Sequence, residues 1–220
     1  MTPWTGPVSF PILASMTLPP LHKSAGLYIA WIGGLCGAIV LMLADVLPFR
    51  PAFATPESFF SCMVVLEIFF ILLVWPLFVP SILREGVPPP ALLAYVALLV
   101  LFALPLLMIA ANVASVGAGG LVRSQLLVAA LAALGAGVAA RLPSALPWYL
   151  LAVFFISAAL PFWAFLGDQL GAKVPAVSVY LSPFWGAVVE RSAPAWVQTG
   201  LYGISGAVLL LLPRRKDATP

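Results

Sequence analysis

The sequence predicts an all-α polytopic membrane protein with about six transmembrane helices. Its 220 residues are 63% hydrophobic and only 8% charged, its mean hydropathy is +1.13, and apolar stretches of about 20 residues recur along it. A soluble domain is roughly 45–50% apolar and about 25% charged, so this composition cannot form a water-exposed surface. Six spans with short connections nearly exhaust the chain, and no nucleotide-binding domain fits beside them.

Composition divides the chain into three regions. Residues 1–24 contain prolines at positions 3, 7, 11, 19 and 20 and lack a basic stretch before their apolar residues. We therefore expect an interfacial or disordered N-terminal segment rather than a signal peptide. Residues 25–213 form the predicted transmembrane domain, and residues 214–220 form a basic cytoplasmic tail.

Proline-rich and glycine-rich turns separate the apolar stretches. The first stretch ends at LPFRP, where Pro48 and Pro51 cannot continue a helix. The prolines at 88–90 precede the third stretch, the glycine-rich residues 117–120 precede the fourth, and RLPSALP separates the fourth from the fifth. The predicted spans are 25–47, 59–83, 91–113, 123–140, 148–166 and 196–212.

The stretch between the fifth and sixth spans, residues 168–195, differs from the other connections. It is rich in aromatic and small residues, and it is too apolar for a solvated loop. Pro175 and Pro183 interrupt it too often for a regular span. We expect short helices that dip into the bilayer against the bundle, although the sequence leaves open whether this stretch crosses the membrane.

The distribution of basic residues predicts the orientation. If the six spans alternate in direction, six basic residues fall on the side of both termini and four on the other. The positive-inside rule then places both termini in the cytoplasm, in a multi-pass protein of the inner (plasma) membrane, with 168–195 outside. Because most basic residues are isolated, we interpret them as topology signals and expect no nucleic-acid partner. The larger set is Lys23, Arg84, Arg141, Arg214, Arg215 and Lys216, and the smaller set is Arg50, Arg123, Lys173 and Arg191.

Glu67 lies near the middle of the second span, where an ionised side chain costs about 2.5–3.5 kcal/mol on insertion scales. One interpretation is an intramembrane polar site, either a proton relay or a polar contact in a translocation path. The other is a protonated side chain that hydrogen-bonds to a neighbouring helix. Arg123 and Gln125 open the fourth span, and we expect Arg123 to extend toward the lipid head groups.

The chain carries no recognisable catalytic or cofactor-binding motif. His22 is its only histidine, which excludes a haem held by two histidines of this chain and a histidine-rich metal site. Phosphate-binding, zinc-protease and nucleophile-elbow motifs are missing from the sequence. We therefore expect no enzyme activity, catalytic residue, metal or cofactor. Gly33 and Gly37 form a GxxxG pair, which is typical of close helix packing inside a subunit or at a dimer seam.

Four stretches together resemble the membrane (permease) subunit of a type-2 ABC transporter. They are LLVWPLFVPSILREG at the end of the second span, FALPLLMIAANVASVGAGGLVRSQLL from the third into the fourth, RLPSAL, and YLSPFWGAVV. The resemblance covers about residues 25–216. It implies that Arg84 and Glu85 couple the subunit to a cytoplasmic ATPase. It also implies an extracellular gate formed by Ser182, Pro183, Phe184 and Trp185.

In such a transporter, two copies, or one copy and a paralogue, form the pathway within the membrane lipids. A separate ATPase supplies the energy, and an uncharged, aromatic-lined interface suits a lipid-like or amphipathic substrate. The chain departs from the family after Glu85, where VPPP replaces the usual docking residues. Two other functions stay open: a cofactor-free structural subunit of a respiratory or photosynthetic complex, and a small secondary transporter driven by protons through Glu67.

Overall fold

The computed structural model describes residues 21–43, 56–171, 182–184 and 193–211. The described residues form helices and connecting turns, without a strand among them. They group into six helical rods, labelled α1 to α6. The uninterrupted helices are α1 (Leu21–Leu43), α3 (Leu92–Val113), α4 (Ala118–Arg141) and α6 (Ala193–Leu211). The segments of α2 are Pro56–Phe69, Phe70–Val74 and Trp75–Arg84, and those of α5 are Leu146–Phe154, Phe155–Ala159 and Leu160–Gln169.

The middle segments of α2 and α5 are π-helical turns, and each lies just before a proline. Pro76 and Pro161 both lie two residues beyond their π turn. Proline cannot donate a hydrogen bond to the carbonyl four residues earlier, and its ring crowds that carbonyl. A wider turn at that point relieves the conflict, so both rods continue through their proline.

Three helices are long and apolar enough to cross a membrane, namely Ser58–Arg84, Pro89–Val113 and Ala118–Arg141. The apolar parts of the remaining rods are shorter: Ala25–Val40, Pro143–Ser157 and Trp196–Leu211. The predicted all-helical class is thus confirmed for the described residues, and three of its helices have full membrane-spanning length.

Helix α4 begins earlier than the sequence predicts. Only Gly117 has an extended backbone, with φ −70° and ψ 161°, and it serves as the N-cap. Gly119 and Gly120, which we expected in a turn, belong to the first turn of the helix. The Gly120 N–H donates to the Gly117 carbonyl at 3.0 Å, so the first turn closes on that cap. The earlier start moves every α4 side chain deeper into its helix.

Contacts between α2 and α4 show that these helices run in the same direction. Glu67 accepts a hydrogen bond from Gln125, and the Trp75 Nε1–H donates to the Ala132 carbonyl at 3.0 Å. From the first of these contacts to the second, both chains advance by about two helical turns, so α2 and α4 are parallel. The second bond also satisfies the indole of a fully buried tryptophan.

Helices α4 and α6 also run parallel, and they pack closely. A Cβ atom built on Gly203 would lie 3.6 Å from the Ala130 Cβ, and one on Gly206 would lie 2.5 Å from the Leu134 backbone nitrogen. At the end of both helices, the Arg141 Nε–H donates to the Leu209 carbonyl at 2.9 Å. Glycine at position 206 therefore allows the two backbones to approach.

The direction of α5 follows from its hairpin with α4. Only Leu142 and the short 3₁₀ turn Pro143–Ala145 separate them. A Cβ atom on Gly135 would lie 3.1 Å from the Tyr149 hydroxyl, as expected for antiparallel neighbours on either side of that turn. Because α6 runs parallel to α4, the chain between α5 and α6 leaves and re-enters the helices at the same end of the bundle.

Candidate functional site

Glu67 and Gln125 form a buried polar pair between α2 and α4. The Gln125 Nε2–H donates to Glu67 Oε2 at 2.8 Å. Glu67 is 0% exposed and Gln125 is 6% exposed. Glu67 lies four residues before Ile71, the centre of the Ser58–Arg84 span, so its backbone is about 6 Å from the middle of that helix.

Each member of the pair retains a polar atom without a partner. Glu67 Oε1 and Gln125 Oε1 are both buried and accept no hydrogen bond from the described residues. An unsatisfied buried acceptor costs about 1–3 kcal/mol. Two such atoms on two side chains that already touch require an explanation, because nearly all buried polar groups in proteins are paired.

The surroundings of the pair are apolar. Val64 and Ile68, within one turn of Glu67 in α2, and Val128, about one turn after Gln125 in α4, are fully buried. Arg123 lies two residues before Gln125, so helical geometry turns it by about 200° from the Gln125 side of α4. Arg123 is itself buried, at 7% exposed, and engages in interactions of its own. The structure therefore differs from our expectation that this side chain extends out to the head groups.

Sequence reasoning identified Glu67 but missed Gln125 as its partner. The predicted fourth span began at residue 123, which placed Gln125 at the membrane surface. With α4 starting at Ala118, Gln125 lies about two turns inside the helix, at the depth of Glu67. The signal that could have shown this is the compatibility of Gly119 and Gly120 with a first helical turn.

Arg84 and Glu85 lie at the C-terminal end of α2, where both are exposed. The Arg84 Nε–H donates to the Pro80 carbonyl at 3.3 Å, a bond within its own helix. The Glu85 N–H bonds to the Ile82 carbonyl, and Gly86 then reverses the chain with a φ of 87°. The turn into α3 therefore presents an adjacent basic and acidic residue at the surface.

Residues 182–184 belong to the connection between α5 and α6 and pack against the helices. Ser182 is 0% exposed, Pro183 is buried, and Phe184 packs against the hydrophobic core. Phe184 borders a cavity of about 40 Å³ between α2 and α5. The remaining lining residues are Phe69, Leu72 and Leu73 from α2 and Val153, Phe154 and Ser157 from α5.

The α2 residues of that lining surround the centre of the helix, so Phe184 lies near the depth of that centre. Ser182 and Pro183 are buried and Phe184 is half-buried. The dip of residues 168–195 into the bilayer stays a prediction. Trp185, the fourth predicted gate residue, lies outside the described residues. A gate at this position stays a prediction.

Gly33 and Gly37 do not mediate close packing within the described chain. A Cβ atom on either would meet nothing within 4 Å. The close approach occurs elsewhere, at Gly206 and at Gly137, where a Cβ atom would lie 2.7 Å from the Leu209 Cβ. A GxxxG spacing shows that a helix has a smooth face but not which neighbour, if any, that face meets. The dimer-seam interpretation of Gly33 and Gly37 stays a prediction.

Comparisons with known protein families, with curated proteins and with solved structures found no match to this chain. Within residues 21–43, 56–171, 182–184 and 193–211, no three His, Cys, Asp or Glu side chains come together as a metal site. The polar pair at Glu67 and the exposed turn at Arg84 are therefore the features from which a function must be argued.

Proposed function

We propose that this chain is the transmembrane subunit of an ABC-type transporter that moves a lipid-like or other amphipathic substrate, with energy from a separate ATPase subunit. A second permease copy or a paralogue completes the pathway. One observation carries the proposal: the two ends of the bundle differ. Where α2 ends, the Arg84–Glu85 turn is exposed, whereas Ser182 and Pro183, in the connection that leaves α5 and enters α6 at the other end, are buried.

The first end has the properties of a cytoplasmic docking surface. Because α2, α4 and α6 are parallel, Arg84, Arg141 and the end of α6 share it, and Arg214, Arg215 and Lys216 follow α6 in the sequence. The positive-inside rule assigns such an end to the cytoplasm. An ATPase would meet the turn after α2 there.

The second end supports an extracellular dip. Since α5 ends and α6 begins at the same end, the chain between them needs no additional crossing, which fits six spans with both termini inside. The buried Ser182 and Pro183 are then the described part of a segment that enters the bundle from outside. Non-helical backbone at membrane depth is tolerated where protein surrounds it.

The apolar character of this region suits an amphipathic substrate. Six of the seven side chains around the cavity between α2 and α5 are hydrocarbon or aromatic, and Ser157 is the polar exception. Phe154, which borders the cavity, and the adjacent Phe155 are both exposed. A pathway lined by such residues has few polar groups that could coordinate a small ion, but its apolar side chains can pack against an acyl chain.

Co-purification tests the proposal. The tagged chain, extracted in mild detergent from its native membrane, is expected to bring down an ATP-hydrolysing subunit, and the double variant Arg84→Ala, Glu85→Ala is expected to lose it. Ser144→Ala, an exposed residue of the α4–α5 turn at the same end, is the matched control and is expected to retain the subunit. Recovery of haem- or chlorophyll-bearing proteins without an ATPase would instead support a structural subunit.

The buried Glu67 favours one further function, proton-driven secondary transport. In proteoliposomes containing a pH-sensitive dye, the wild-type chain would then carry protons down an imposed gradient, and Glu67→Gln would not. Equal proton flux in the two proteins would discard this function.

A further inference from the structure

When Glu67 is ionised, the Glu67–Gln125 pair contains hydrogen-bond acceptors that receive no donor. A carboxylate offers only acceptors, and the amide offers one acceptor oxygen and one nitrogen with two N–H donors. The bond from that nitrogen goes to Glu67 Oε2, and neither Glu67 Oε1 nor Gln125 Oε1 receives a donor. Rotating the Gln125 amide does not help, because its oxygen would then face a second carboxylate oxygen.

A single proton on Glu67 supplies the missing hydrogen-bond donor. If Glu67 is a neutral carboxylic acid, its Oε1–H donates to Gln125 Oε1 while Oε2 continues to accept from Nε2. Planar acid and amide groups can then share two parallel hydrogen bonds, and the broad final torsions of Glu and Gln allow the required alignment. All the polar atoms that lack a partner in this pair are satisfied by the same change.

No other described group supplies what the pair lacks. Among the described residues, only Gln125 hydrogen-bonds to Glu67. The titratable or charged described side chains on the elements packed against α2 are not bonded to it. They are Tyr28 and Cys36 on α1, Tyr95 on α3, Arg123 and Arg141 on α4, and Tyr149 on α5.

We propose that Glu67 and Gln125 form an intramembrane proton-binding site, in which Glu67 holds one proton on Oε1 and shares it with Gln125 Oε1. The ligand is a proton. It binds between Glu67 Oε1 on α2 and Gln125 Oε1 on α4, two side chains that already touch. Loss of the proton leaves the bond from Gln125 Nε2 to Glu67 Oε2 as the one hydrogen bond of the pair, with both Oε1 atoms unpaired again. This inference does not depend on coupling to an ATPase.

Infrared spectroscopy of the purified full-length protein at neutral pH tests the site. A protonated carboxyl group absorbs at a clearly higher carbonyl frequency than a carboxylate. The wild-type protein is expected to show this acid band and Glu67→Gln to lack it, whereas the control Glu85→Gln, at an exposed residue, is expected to retain it. In Gln125→Leu the band is expected to move to still higher frequency, as for an acid without a hydrogen-bond partner.

Three results would overturn the proposal. They are a wild-type spectrum without an acid band, a band that persists unchanged in Glu67→Gln, and a band that appears only when sodium is removed, which would indicate a cation site instead. If Glu67→Gln does not fold, the wild-type protein still decides the matter. A hydrophobic carbodiimide adds across protonated carboxyls in apolar surroundings to form an N-acylurea. Peptide mass spectrometry should locate that adduct on Glu67, and an unmodified Glu67 would contradict the site.

Discussion

The interaction between Glu67 and Gln125 predicts a strongly non-additive pair of substitutions. The cycle consists of the wild type, Glu67→Leu, Gln125→Leu and the double variant, because leucine approximates the volume of both side chains. Each single variant removes the only described partner of the remaining polar group. The double variant removes both polar groups and leaves two apolar side chains in apolar surroundings.

The expected magnitudes follow from burial. A buried polar group that loses its partner costs about 1–3 kcal/mol, whereas measured interhelical hydrogen bonds in a membrane average about 0.6 and reach about 1.7 kcal/mol. With two hydrogen bonds in the acid–amide pair, we expect each single variant to lose about 2 kcal/mol of unfolding free energy. The double variant is expected to lose less than about 1 kcal/mol, because replacing both partners by apolar groups can be nearly neutral. The coupling energy would then be about 3 kcal/mol.

Reversible unfolding in mixed micelles, followed by tryptophan fluorescence, measures these free energies. Glu67→Gln is the conservative control, since two amides can form the same pair of hydrogen bonds, and it is expected to stay within about 0.5 kcal/mol of the wild type. Additive single variants would refute the reasoning, because independent side chains show no coupling. A Glu67→Gln variant as unstable as Glu67→Leu would refute it as well.

The packing of α4 with α6 and α2 makes three more predictions for the same unfolding assay. Gly206→Ala is expected to lower the unfolding free energy by more than about 2 kcal/mol, because the new Cβ would lie 2.5 Å from the α4 backbone. Gly200→Ala is the matched control, because a Cβ atom there meets nothing within 4 Å. Equal effects of the two substitutions would contradict the close approach. Arg141→Ala is expected to lower the unfolding free energy by about 1–2 kcal/mol, because the Leu209 and Leu210 carbonyls at the end of α6 lose their donor. Arg141→Lys is expected to recover part of this loss. Unchanged stability of Arg141→Ala would show that these two hydrogen bonds contribute nothing. Trp75→Phe is expected to cost about 1–2 kcal/mol through its lost hydrogen bond to α4, and an unchanged stability would show that this bond contributes nothing.

The helices themselves were predictable because apolar length and proline position are local properties. The predicted third span ends at Val113, where α3 also ends, and the proline run at 88–90 correctly marks the entry into that helix. The start of α4 was wrong by five residues, since glycine alone does not distinguish a turn from a first helical turn. That error concealed Gln125.

Partners across the bundle were not predictable in the same way. Glu67 was recognised by its chemistry alone, because a carboxyl group in an apolar span is conspicuous in any fold. Its bond to Gln125 depends on the direction and rotation of α2 against α4, which no single segment encodes. For the same reason the GxxxG spacing pointed to Gly33 and Gly37, whereas the close contacts occur at Gly137 and Gly206.

The parallel course of α2, α4 and α6 is the basis of the proposed topology, and cysteine labelling tests it most directly. Cys36 and Cys62 are first replaced, and single cysteines are then introduced by Glu85→Cys, Ser144→Cys and Ala118→Cys, all at exposed residues of the turns or helix ends. A membrane-impermeant maleimide is expected to label position 118 in intact cells and positions 85 and 144 only in inverted vesicles. Labelling of positions 85 and 118 from the same side of the membrane would contradict the proposed topology.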